Sequence, residues 1–77
     1  MNVKTYVRSI IFQDENGKEI IVKQGETELI IITINGILCE GIVKSIYVDS
    51  LILFNSGASD CIYFENIKYI SLKDLKK

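Results

Sequence analysis

Turn signals recur so closely along this chain that no stretch between them is long enough for a substantial helix. Asn16-Gly17 separates "VKTYVRSIIFQ" from "IIVK", Gln24-Gly25-Glu26 precedes "TELIIITI", and Asn35-Gly36 leads into "ILCEGIVKSI". "YVDS" then turns the chain into "LILF", the polar loop "NSGASD" leads to "CIYF", and a tight "EN" corner leads to "IKYISL". The runs are rich in isoleucine and valine, whose branched side chains fit a pleated surface better than a helix. The pattern predicts an all-β fold of seven strands beginning near Tyr6, Glu19, Glu28, Ile37, Leu51, Cys61 and Lys68. A small β-barrel over residues 26–72 would follow an extra amino-terminal β-hairpin over residues 1–25, all in one domain. Residues 73–77 would form a tail, with one helical turn possible in "SLKDLKK".

Inside this pattern the two glycines of "INGILCEGIVKSI" pose a problem of parity. Glu40 and Lys44 share a face with Ile42 and Ile46, so a flat strand here has no consistently apolar side. A bend resolves it: Gly36 makes the turn, and Gly41 marks a kink or bulge that lets one strand serve two core layers. The expected core is Ile32, Ile34, Ile42, Leu53, Ile62, Ile67 and Ile70. "LILF" and "CIYF" are apolar on both faces, which calls for a cover: either the amino-terminal hairpin or a second copy of the chain.

A chain of 77 residues must use every apolar stretch it has, and 48% of this one is hydrophobic. Nine basic against ten acidic residues give a net charge of −1, which offers phosphate no general attraction. Lys73, Lys76 and Lys77 form a short basic tail that reads as a solvated terminus. There is no histidine, and Cys39 and Cys61 form no CxxC pair, so neither a metal site nor another cofactor is expected. The serines and carboxylates lack a nucleophile–base arrangement, which speaks against catalysis. No apolar run reaches the roughly 18 residues of a membrane span, so the expectation is a cytoplasmic protein with no membrane partner.

From Ile34 to Ile70 the sequence resembles the Sm-like barrels, and among them the bacterial Hfq family. The resemblance rests on "NGI", on the spacing of Gly36 and Gly41, and on "IYFENIKYI" with Ile62, Ile67, Ile70 and Tyr63 at matching positions. It implies a five-stranded SH3-type barrel and, in the family, RNA binding. The departures fall on the RNA-contacting positions: Phe64 and Glu65 stand where the family has lysine and histidine, and Tyr47 where it has aspartate.

The candidate binding residues are therefore Tyr63 and Phe64, whose rings would stack on bases or pack on protein, with Lys44 and Lys68 as the nearby cations. Near-neutral charge and surplus apolar surface favour a non-enzymatic module for protein interaction or self-assembly, of a bacterial or prophage-encoded kind. The protein partner would include a second copy of the chain. Sm-like binding of RNA or single-stranded DNA is the alternative.

Overall fold

Each apolar run becomes a strand, and the inward residues of all of them meet in one core. The computed structural model describes residues 2–6, 9–13 and 16–73. Among them are eight strands: β1 (Asn2–Tyr6), β2 (Ser9–Gln13), β3 (Glu19–Lys23), β4 (Glu28–Thr33), β5 (Leu38–Ile46), β6 (Ser50–Asn55), β7 (Ala58–Tyr63) and β8 (Ile67–Leu72). The sole helical element among the described residues is a 3₁₀ turn, Phe64–Asn66, at the expected "EN" corner. Strands β1-β2-β3 form an antiparallel sheet, and the other five form a second sheet in the order β7-β6-β5-β4-β8.

The amino-terminal unit is a three-stranded meander rather than a hairpin. Tyr6 pairs with Ser9, so the run read as one strand reverses within "VKTYVRSIIFQ" and supplies both β1 and β2. No glycine, proline or asparagine marks that reversal, which is why turn chemistry does not announce it. In β2 and β3 burial alternates strictly, and the inward residues stand directly opposite one another, Ile10 against Val22 and Phe12 against Ile20. Such cross-strand pairs are the unit of sheet stabilisation.

These four side chains join Leu29, Ile31, Val43, Leu51, Leu53, Ile62, Ile67 and Ile70 in a single buried cluster. The amino-terminal sheet thus covers the inner face of the larger sheet. Phe12 adds an edge-on contact to the half-buried Phe64 across the two sheets, with ring centroids 5.5 Å apart. The turn joining the sheets is laced on both sides. Thr27 Oγ1 accepts from the Lys23 amide at 2.8 Å, and the Gly25 amide donates to the Val43 carbonyl at 2.7 Å.

Of the expected core, Leu53, Ile62, Ile67 and Ile70 are buried. Ile32 and Ile42 are half-buried, and Ile34 is 58% exposed at the β4–β5 turn. The correction follows from parity. Leu29 and Ile31 point inward on β4, which turns Ile30 and Ile32 to the other face.

Strand β5 does serve two neighbours. Leu38 to Ile42 pair with β4, and Ile42 to Ile46 pair with β6, so Ile42 stands opposite both Glu28 and Phe54. The register shift falls between Val43 and Ser45, leaving Lys44 as the extra residue, and not at Gly41. Gly41 instead is buried where β5 changes partner, and its missing side chain admits the β6 backbone.

The larger sheet is strongly curled but forms no closed barrel, because β7 and β8 do not pair. Five strands laid flat would hold their outer members roughly 19 Å apart, at about 4.8 Å per step. The connection from Tyr63 to Ile67 spans at most about 15 Å even if extended, and less as a 3₁₀ turn. The edges must therefore swing toward each other. Hydrogen bonds fix both ends of the link, from the Phe64 amide to the Asp49 carbonyl at 3.0 Å and from the Ile34 amide to the Asn66 carbonyl at 2.9 Å.

Candidate interaction surface

The four residues singled out in the sequence do not converge on one patch. Tyr63 ends β7 and is 47% exposed, whereas Phe64 turns toward the core and meets Phe12. Both line a depression of about 380 Å³ together with Val48, Asp49 and Glu65. Its two acidic side chains would repel a phosphate placed over the Tyr63 ring. Asp49 is further engaged as acceptor from the Ser50 hydroxyl at 3.1 Å.

Lys44 and Lys68 share an unexpected feature, since each is the unpaired residue of a register shift. Lys44 bulges from β5 between Val43 and Ser45. Lys68 does so from β8, where Ile67 pairs with Thr33 and Tyr69 with Ile32. The two bulges lie toward opposite ends of β4, Lys68 opposite its last step from Ile32 to Thr33 and Lys44 two residues past the partner of Glu28 at its start. Lys44 instead sits over the ring of Phe54, its Nζ 5.5 Å from the centroid, above a hollow of about 300 Å³ that includes Gly25 and Ile42. Lys73, placed in the tail by its sequence position, is tied down: its amide donates to the Glu28 carbonyl at 3.0 Å, and its Nζ pairs with Glu40 at 3.7 Å. Lys76, Lys77 and the helical turn proposed for the terminus lie outside the described residues, apart from Ser71 and Leu72, which are strand, and Lys73.

A different set of residues does come together. On the outward face of the larger sheet, Ile32 pairs with Leu38 on one side and with Tyr69 on the other, giving an unbroken apolar row across β5, β4 and β8. The next row is Glu40, Ile30 and Ser71. Ile34 and Ile37 stand exposed at the tip of the β4–β5 turn that ends this row, with Ile37 opposite Thr33, whose amide donates to the Ile37 carbonyl at 2.9 Å, and so of the other parity from Leu38. Leu38 is 62% exposed, Ile34 and Ile37 each 58%, and Tyr69 55%. Isolated apolar residues are ordinary on a surface, but a contiguous group of this kind is not. The sequence signal for it was the apolar character of both parities in "TELIIITINGIL".

Cys39 and Cys61 are free thiols, the first half-buried against the core and the second exposed. Burial, reinforced by the nearby Asp60 carboxylate, pushes the Cys39 thiol up from its ordinary value. Among the described residues no three of His, Cys, Asp and Glu lie close enough together to hold a metal ion. No helix among them is long and apolar enough to cross a membrane.

Compared with known proteins, the chain matches no family model, no curated protein and no solved structure. Its class is accordingly defined by its own architecture: a small all-β domain of two sheets sharing one core, with an apolar row left on the outside.

Proposed function

We propose that this protein is a small non-enzymatic interaction module of Sm-like, SH3-type descent that binds protein, a second copy of itself included, in the cytoplasm. The observation that carries the reading is the outward row Leu38–Ile32–Tyr69 with Ile34 and Ile37 beside it. Uncovered apolar area of this kind is stabilised by association, and among the described residues β7 and β8 are the outer strands of the sheet. Kinship with the SH3-type barrels is supported by the strand order, in which the last strand returns across a 3₁₀ turn to pair with the first strand of the five. A reducing compartment fits the two free thiols, and the source proposed with it is bacterial or prophage.

RNA or single-stranded DNA binding, the second reading, keeps Tyr63 as an exposed ring. Against it stand the separated lysines, the core-facing Phe64 and the acids beside Tyr63. Sedimentation equilibrium with and without a generic single-stranded RNA tests the two readings together. Reversible self-association unaffected by RNA supports the protein-binding module, and a monomer that gains mass only with RNA replaces it by the second reading.

A further inference from the structure

We infer that the outward face of β4, β5 and β8 is a two-fold interface, closed by the same face of a second copy. This rests on the reading of the protein as a self-associating module and says which surface does it. Face-to-face packing is the relevant geometry, distinct from the addition of strands at the sheet edges.

Two properties of the face point to a second copy as the occupant. The first is charge. The apolar row is bordered on this face by the acid Glu28 and by a paired acid and base, Glu40 and Lys73, the latter at the end of β8. Glu40 and Lys73 are about one third exposed, 37% each, and remain available across an interface. A two-fold axis lying along β4, between Glu40 on the β5 side and Lys73 on the β8 side, sets the acid of each copy against the base of the other. A face with rim charges of a single sign would repel its own copy, and this one does not. The net charge of −1 adds no long-range obstacle.

The second property is area. With the aromatic range of roughly 150–250 Å² for Tyr69 and a value near its middle for Ile34 and Leu38, the exposed parts of these three, each between about half and two thirds of the side chain, amount to about 350 Å². Two such patches with their polar rims bury about 1,000 Å², the lower bound of a specific interface. An apolar centre inside a charged rim is also the ordinary anatomy of such interfaces. The area predicts a dimer that forms and dissociates readily, rather than an obligate one.

Sedimentation velocity over a concentration series, on the full chain and its variants, decides the matter. Leu38→Lys and Tyr69→Lys replace side chains that are more than half exposed, so an unchanged urea midpoint shows that the fold is intact. Each is expected to raise the dimer dissociation constant at least about tenfold. Glu40→Lys is expected to weaken the dimer by placing like charges across the rim, and adding Lys73→Glu is expected to restore it. A wild-type protein that self-associates but ignores all four substitutions would overturn this interface and leave the self-association reading standing. A wild-type protein that stays monomeric at every concentration would overturn both.

Discussion

A Cβ placed on Gly41 would lie 2.5 Å from the carbonyl oxygen of Phe54, so β5 and β6 approach here more closely than any side chain at that position permits. The contact is backbone, which cannot swing aside as the end of a flexible side chain can. It falls where Ile42 pairs with Glu28 on one strand and Phe54 on another, the point at which β5 passes from one neighbour to the next. The glycine is thus required by the crossing of strands, and the bulge that completes the bend follows at Lys44.

Gly41→Ala is therefore expected to cost about 1–3 kcal/mol of stability, because the β6 backbone must retreat from the new methyl group. Gly41→Val is expected to cost more. Urea denaturation reads both, and an unchanged midpoint in either variant would contradict the close approach.

The amino-terminal sheet should behave as part of the core and not as an appendage. Phe12→Ala removes a fully buried ring and its contact with Phe64, and is expected to cost about 3–5 kcal/mol. Ile21→Ala, on the exposed side of the same sheet, is expected to stay within about 0.5 kcal/mol of the parent. If the two substitutions had equal effects, the sheet would not be packed as described.

Cys39 and Cys61 should differ in reactivity. The exposed Cys61 is expected to be alkylated first in the native protein, with Cys39 following only slowly, since burial and Asp60 disfavour its thiolate. The sign for stability follows from the same shift. The folded thiol titrates above the unfolded one, so the folded state is favoured in full below the unfolded value of about 9.0 and loses this contribution as pH rises through the folded value. Mass spectrometry after brief alkylation gives the order of labelling, and equal rates would contradict the burial of Cys39.

Nucleic-acid affinity should be weak at physiological salt, because Lys44 and Lys68 stand at separate bulges and Tyr63 shares its depression with Asp49 and Glu65. A labelled oligonucleotide titrated by fluorescence anisotropy is expected to show no submicromolar binding. Tight binding lost on changing Lys44 and Lys68 to glutamate would contradict this and identify those lysines as the contacts.

Much of the strand order in both sheets was legible in the sequence because these turns carry their own chemistry. Gly17, Gly25, Gly36 and Gly57 all adopt positive φ, and strands flank each of these turns. The reversal between Tyr6 and Ser9 was illegible, since Val7 and Arg8 between them carry no turn preference and Ser9 alone is a weak signal. Leu53, Ile62, Ile67 and Ile70 could be assigned to the core from strand centres, but Ile34 could not: its position at a turn outweighed its side chain. The candidate site was read least well. The barrel resemblance suggested a binding patch of aromatic and basic residues, yet Phe64 turns inward and the lysines lie on separate bulges. The apolar row had no motif, because it depends on the register of three strands that only the fold brings side by side.

Self-association through the outward face is tested most directly by a pair of two-dimensional amide NMR spectra of the uniformly labelled protein, one dilute and one concentrated. Concentration-dependent shifts are expected to be confined to Ile32, Ile34, Ile37, Leu38, Tyr69 and their neighbours, with the amides of Ile10, Phe12, Ile20 and Val22 unmoved. Spectra that are identical at both concentrations, or shifts centred on Tyr63, Lys44 and Lys68, would contradict it.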